Sequence, residues 1–263
     1  SDFSLPTPDV VTQDKQAPSG LSTDWVSEEW AELKWANNSA DETEYHVERC
    51  EGSGCTNFTL LGSMVSPAGN VLHMRMDEAS WPATAGAVID LSGAGNNGTA
   101  VGGVTTVTDG KYASAGDFDG SDDYILTALV LDQSVDTTTG ASFSAWVYPK
   151  STSANNHFVI GTDNGGNDWS LLRNAGSWYV ANGTDTALVD TTVTVDVNSW
   201  QHLVVTFNPV SGVTLYKNGV SAWSSAEIDY DDSTSAVHLG RRGSLNQEFF
   251  DGRMDEVAVF TRP

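Results

Sequence analysis

The chain has 263 residues and carries 12 Lys and Arg against 35 Asp and Glu, a formal net charge of −23. So negative a surface repels phosphate backbones and anionic headgroups, which excludes nucleic acid as a partner. Hydrophobic residues make up 39%, including 9 Trp, 9 Phe and 7 Tyr, enough to bury a core and to exclude a disordered chain.

Residues 1–17 are polar and contain Pro6 and Pro8, and they read as an extended arm. From Pro18 the pattern changes. Ala31, Leu33 and Trp35 alternate with Glu32 and Lys34, as in a half-buried strand. The stretch from Ser22 to Trp35 also fits a helix, with Val26, Trp30 and Leu33 at helical spacing. Tyr45 to Arg49 alternates again, and Phe58 to Leu61 returns after the turn CEGSGC. Cys50 and Cys55 are the two cysteines. In an exported protein they predict a disulfide across a hairpin mouth, with free thiols as the alternative; the spacing is wrong for zinc.

Residues 70–263 predict many short strands between Gly, Asn and Asp turns. Phe143, Ala145 and Val147 alternate, as do Leu203, Val205 and Phe207. Asn218-Gly219 between two β runs is a strong hairpin signal. In the last strand Met254, Glu256, Ala258 and Phe260 are expected on one face, with Asp255, Val257 and Val259 on the other. The longest apolar run, Tyr124 to Leu131, is too short to span a bilayer, so no membrane insertion is expected. This text predicts an all-β jelly-roll sandwich.

Two resemblances sharpen the picture. Leu33, Trp35, Tyr45, Val47, Glu48 and Arg49 make residues 18–66 resemble the front half of a fibronectin type III domain, and favour strand over helix for 30–35. The family's later strands are missing, which implies an incomplete immunoglobulin-like β-sandwich over 18–69. Its open strand edges would be completed by the arm, by a downstream segment, or by a strand from a neighbouring copy. Further on, LHMRMDEAS, GDFDGSDDYI, SFSAWVYP, SWQHLVVTFN and FFDGRMDEVAVF follow in the order of the laminin G-like, concanavalin A-like lectin/glucanase superfamily. That resemblance implies an antiparallel jelly roll over 70–263 and an extracellular or cell-surface location.

The chemistry expected is binding. No nucleophile elbow, zinc-helix motif or phosphate loop occurs, and Gly93 to Gly98 satisfies a dinucleotide fingerprint only inside strand-and-turn text. The superfamily's Glu-x-Asp-x-x-Glu string is absent, so glycosidase activity is not expected. Calcium is: Asp119, Asp122 and Asp123 cluster in one turn, with a further Asp/Asn loop at 163–168 and acids at Asp229, Asp231 and Asp232. Asp255 joins the expected ligands because related jelly rolls place a calcium ligand near the chain end. For a glycan, Trp169 and Trp178 are the expected platforms, with Asn164, Asn167, Asp168, Arg173 and Arg241 as hydrogen-bonding partners. The alternative places Trp146 and Trp200, and Trp169 and Trp178 as well, in the core, since sandwich cores routinely hold aromatics. The resulting expectation is a non-catalytic adhesion or binding protein for glycan or extracellular protein. The alternative is a structural subunit that polymerises by strand addition.

Overall fold

The computed structural model describes residues 69–131, 139–163, 165–184, 188–230, 233–243 and 247–263 in full, and the backbone of 19–26, 31–36, 45–49 and 59–64. Two compact units are present, Ser1–Ala68 and Gly69–Pro263. In the first, β1 (Ser19–Val26) pairs antiparallel with β2 (Ala31–Ala36), and β3 (Tyr45–Arg49) pairs with β4 (Thr59–Met64). Residues 31–36 are thus strand. The expected disulfide and the arm lie outside the described residues, as do Asn164, Asp231 and Asp232.

The second unit runs β5 (Asn70–Met74), β6 (Thr99–Val101), β7 (Thr105–Val107), β8 (Ala115–Asp119), β9 (Tyr124–Val130), β10 (Ala141–Pro149), β11 (Asn156–Gly161), β12 (Ser170–Asn174), β13 (Ser177–Ala181), β14 (Val189–Thr194), β15 (Gln201–Asn208), β16 (Gly212–Lys217), β17 (Val220–Ser225), β18 (Ala236–Leu239) and β19 (Asp251–Phe260). The eight-stranded sheet is ordered β17-β16-β15-β10-β19-β8-β7, with β5 also on β19. The seven-stranded sheet is ordered β14-β13-β12-β11-β18-β9-β6. Every pairing is antiparallel, and the chain crosses between the two sheets repeatedly, as from β8 to β9, β9 to β10 and β10 to β11, which is the habit of a jelly roll. Both sheets feed one continuous core.

Alternation decides what enters that core. Phe143, Ala145 and Val147 of β10 and Leu203, Val205 and Phe207 of β15 are fully buried, as their spacing predicts. Trp169 lies flat on Phe207, ring centroids 4.8 Å apart, and Phe143 meets Phe207 edge-on at 5.2 Å. Trp169 also donates its indole N–H to the carbonyl of Asp229 at 2.9 Å, so its polar edge is satisfied inside. The hairpin between β16 and β17 has Asn218 at φ 52° and Gly219 at φ 78°, the two left-handed residues a primed turn needs.

The last strand departs from the expected pattern. A register break between Ser144 and Trp146 of β10 marks a bulge in β19, with Glu256 at φ 49°. The bulge shifts parity, so Met254 shares the core side with Val257 and Val259, not with Glu256. Asp255 is left opposite Trp146, on the outer face.

Replacing Trp169 by Ala removes the stack and strands the Asp229 carbonyl. Chemical denaturation should show a loss of about 3–5 kcal/mol, and a loss below about 1 kcal/mol would contradict the described packing.

Candidate functional site

The parity that buries Phe143, Ala145 and Val147 turns Ser144, Trp146 and Tyr148 outward. Trp146 and Tyr148 are half-buried, one strand step apart on the same face, about 6.6 Å along β10. Across the ladder, Trp146 sits opposite His202, ring centroids 5.1 Å apart, and Tyr148 lies 5.5 Å from Trp200. Residues 109–113 lie over the neighbouring strand β19. They bring Tyr112, 46% exposed, edge-on to Trp146 at 6.0 Å, and set the Lys111 ammonium 4.3 Å from the Trp146 ring. Arg253 stacks on Tyr148 at 5.4 Å while holding Asp109 at 2.6 Å. The outer face of the eight-stranded sheet is therefore a row of half-exposed aromatic rings with polar edges.

The structure departs from the expected glycan platforms and takes the alternative for Trp169 and Trp178. Trp169 and Trp178 are fully buried, and Trp178 donates to Gln201 Oε1 at 3.2 Å inside the sandwich. Neither can offer a ring face to a ligand, because each lies on the core side of its segment. Trp146 and Trp200, which that alternative also places in the core, are the half-exposed pair. The signal was present for Trp146: a tryptophan between two buried positions of a strand must face out.

Arg173 is also interior. It donates to Ser151 Oγ at 3.0 Å, and burial pulls its pKa down to about 10. Arg241 packs its guanidinium 3.7 Å over Tyr124 and meets His238 Nε2 at 2.9 Å. Burial, then the Arg241 charge, pushes His238 down to about 4, so it is neutral. Asn167 is tied to Arg242 Nη2 at 3.3 Å, and Arg242 binds the fully buried Asp163 at 2.5 Å. Asp168 is buried beside Trp169. Of the expected glycan partners, Asn167, Asp168, Arg173 and Arg241 are thus held by structural contacts.

The acidic residues fall in two places. Asp119, Asp122 and Asp123 bring carboxylate oxygens within 4.8 Å of one another in the β8–β9 turn. Gly102 backs this turn, where an added Cβ would stand 2.2 Å from the Asp122 carbonyl. Burial, then the charges of Asp119, Asp122 and Asp117, pushes Asp123 up to about 6. Asp255 is elsewhere, since Asp119 pairs with Asp251 and Asp255 lies four residues, about 13 Å, further along β19. Its carboxylate is fully buried under Tyr112, whose N–H donates to Oδ2 at 2.8 Å, and Oδ1 has no hydrogen-bond partner. Burial, then the nearby Glu256 and Asp77 charges, pushes Asp255 up to about 7. An orphaned buried carboxylate oxygen beside further acids fits a divalent cation, and so does the Asp119 turn.

With that geometry in place the comparisons are informative. A model of the concanavalin A-like lectin/glucanases superfamily matches residues 119–263, over half of the chain. The chain belongs to that superfamily. No curated protein sequence matches the chain significantly. Among solved structures, the binding domain of Paraclostridial Mosquitocidal Protein 1 is similar with TM-score 0.56 and 20% identity, over 74% of this chain and 49% of that one. Domain 4 of AbnA, an extracellular arabinanase of Geobacillus stearothermophilus solved with arabinotriose, has TM-score 0.55 and 18% identity, over 74% and 93%. A botulinum neurotoxin type C structure, described with two ganglioside molecules, has TM-score 0.53 and 13% identity, over 74% and 48%. This chain spans about half the length of the toxin chains. At these identities the likeness establishes the fold, and this superfamily member must be read for function from its own residues.

Asp255 makes the fold pH-sensitive. Its folded pKa is above the unfolded value of 3.8, so the folded state keeps a proton that the unfolded state has lost. Stability therefore falls as pH rises from about 4 to about 7, and the loss is complete above that. Asp255→Asn should remove part of this slope and raise the melting temperature of the chelator-treated protein above pH 7. An unchanged slope in the variant would count against the buried, unpaired carboxylate.

Proposed function

We propose that this superfamily member is a non-catalytic, extracellular carbohydrate-binding module that docks glycan on the outer face of its eight-stranded sheet. The observation that carries the reading is the half-exposed row of Trp146, Tyr148, Trp200 and Tyr112 on one face. Sugar rings bury their C–H faces on aromatic rings while their hydroxyls keep hydrogen bonds at the edges. Ser144 and His202, bonded to each other at 3.0 Å, and Lys111 supply such edges here. The arrangement suits a neutral chain better than an anionic one, because Asp109, Asp117 and Glu256 border the same face. The fold is shared with an arabinanase domain solved with arabinotriose, which supports the reading without fixing the sugar.

Non-catalytic is part of the proposal. Glycoside hydrolysis needs a raised carboxyl that reaches the glycosidic oxygen. Two carboxyls are raised, Asp255 and Asp123, and both are buried: Asp255 is sealed beneath Tyr112, and Asp123 is 4% exposed and accepts the Asp119 N–H at 3.0 Å. Assembly through the N-terminal unit remains the competing role, since β1–β2 and β3–β4 form two separate two-stranded sheets.

Titration calorimetry against a panel of neutral oligosaccharides, arabinotriose included, tests the platform. Trp146→Ala and Tyr148→Ala should each weaken binding about tenfold or more with little change in folding, because both side chains lie outside the core. Parent-like binding in both variants would refute the proposed face.

Calcium completes the proposal. Asp255 would hold one ion and the Asp119, Asp122 and Asp123 turn another, each ion supplying positive charge where carboxylates crowd. A hundredfold excess of Ca²⁺ over its Kd should add about 2.7 kcal/mol of stability, which is a rise of about 5–10 °C in melting temperature. Asp255→Asn and Asp122→Asn should each remove part of it, and an absent rise in the parent would dismiss calcium.

A further inference from the structure

A second concavity lies at the end of the sandwich, where the chain leaves β10 and crosses to β11 in the other sheet. It is an open cleft of about 380 Å³. Asn155, Asn156, His157, Asn174 and Glu248 form its polar wall, and Phe249, Ala154 and Gly120 its apolar one. Four separate segments converge here, and none of these residues belongs to the aromatic face.

The polar wall is pre-organised. Asn174 Nδ2 donates to Asn156 Oδ1 at 2.8 Å, and Asn156 Nδ2 donates to Glu248 Oε1 at 2.6 Å. The other Glu248 oxygen accepts from Arg242 Nη1 at 3.3 Å, and Arg242 is anchored on buried Asp163. The row of side chains is thus tied at one end to a fixed charge in the interior. Glu248 itself adopts φ 62°, a conformation that a side chain this large rarely takes. His157 is 7% exposed and its Nδ1 lies 2.5 Å from the Phe249 carbonyl. A carbonyl only accepts, so Nδ1 carries the proton, and Ser153 Oγ donates to Nε2 at 2.5 Å. Burial and the nearby Arg173 charge hold His157 below the usual histidine range, so it stays neutral near pH 7.

These bonds leave capacity unused. Each amide nitrogen of Asn156 and Asn174 has a second hydrogen to give, and the Asn155 amide is exposed. Glu248 and the Asn174 oxygen can still accept. Donors and acceptors therefore alternate around a half-buried phenyl ring, which matches a saccharide, whose vicinal hydroxyls both donate and accept. Charge narrows the class further. The carboxylate of Glu248 is in the wall itself. Phosphate, sulfate and uronate are disfavoured there, and a lone lining carboxylate is too few oxygens for a tight divalent cation. The volume is at the lower end for ligand sites, room for one or two sugar rings.

The geometry points to a second carbohydrate site in this cleft, selective for a short neutral saccharide and separate from the aromatic face. It shares the ligand chemistry of the proposed function but rests on different residues. The test uses the full chain, with titration calorimetry and saturation-transfer NMR. The probes are a panel of neutral hexose and pentose mono- and disaccharides, with glucuronate, inorganic phosphate and Ca²⁺ alongside. Two variants probe the cleft. Ala154→Trp fills its mouth without removing any hydrogen bond described above, and Asn156→Ala breaks the polar wall. At least one neutral saccharide should bind, and each variant should weaken it about tenfold or more. Trp146→Ala should leave this binding in place while losing the longer oligosaccharides, so each site can fail alone. Parent-like binding in Ala154→Trp overturns the proposal. So does loss of short-saccharide binding in Trp146→Ala, equal binding of glucuronate or phosphate, or the absence of any neutral saccharide that binds. A parent-like melting temperature for Ala154→Trp confirms that its readout is occlusion and not misfolding.

Discussion

Phe143, Phe207 and Trp169 meet in the middle of the sandwich, and almost everything a ligand could touch follows from that contact. Once Phe143 and Phe207 face inward, two-residue alternation fixes the outward set on β10 and β15 without further freedom. Slipping β10 by one residue would bury Trp146 and expose Phe143, exchanging a packed core for an unfilled one. The aromatic face is thus held in register by the interior, although its own side chains contribute little to folding. A rigid, pre-positioned platform loses little entropy when a sugar docks, which suits a binding role on a sheet better than one on a loop.

Charge is handled locally. The chain is strongly negative, yet the cations near the eight-stranded sheet's outer face are spent in close pairs: Lys150 with Asp117 at 2.6 Å, Arg253 with Asp109 at 2.6 Å, and Arg75 with Asp77 at 2.9 Å. Such exposed pairs add little stability individually. Their effect is to offset the carboxylates that border the ring faces, so that the edge of the platform is less negative than those acids alone would make it. Elsewhere the acids are left to crowd, in the β8–β9 turn and around Asp255, and those are the places where a cation fits.

Much of this was legible in the sequence. The all-β jelly roll, the Asn218-Gly219 turn and the buried alternating triplets were all readable from period and turn chemistry. The clustering of Asp119, Asp122 and Asp123 was readable too, because the three are close in sequence. Trp146 was legible in principle, because its place between Ala145 and Val147 turns it outward, whereas Trp200 precedes β15 and has no strand parity to read. The side of Asp255 was not legible, since the bulge at Glu256 inverts parity with no glycine or proline to announce it. Nor was the end cleft, whose walls come from residues near 120, 155, 174 and 248 and meet only through the crossover of β10 into β11. Local pattern sees neighbours along one strand, and a site built from four segments leaves no such trace.

The bulge in β19 also joins two features that otherwise look unrelated. Because Asp255 faces outward it catches the backbone N–H of Tyr112, and that bond seats residues 109–113 over the sheet. The same loop carries the Tyr112 ring and the Lys111 ammonium onto Trp146. The charge state of one buried carboxyl therefore bears on the shape of the aromatic face: a deprotonated Asp255 accepts the N–H more strongly but leaves a second oxygen unsatisfied in a buried site. A cation there would resolve the conflict, keeping the acceptor charged while satisfying the orphaned oxygen. A cation held there would lie beneath the loop that frames the aromatic face, and would bear on that face without touching a ligand docked on it.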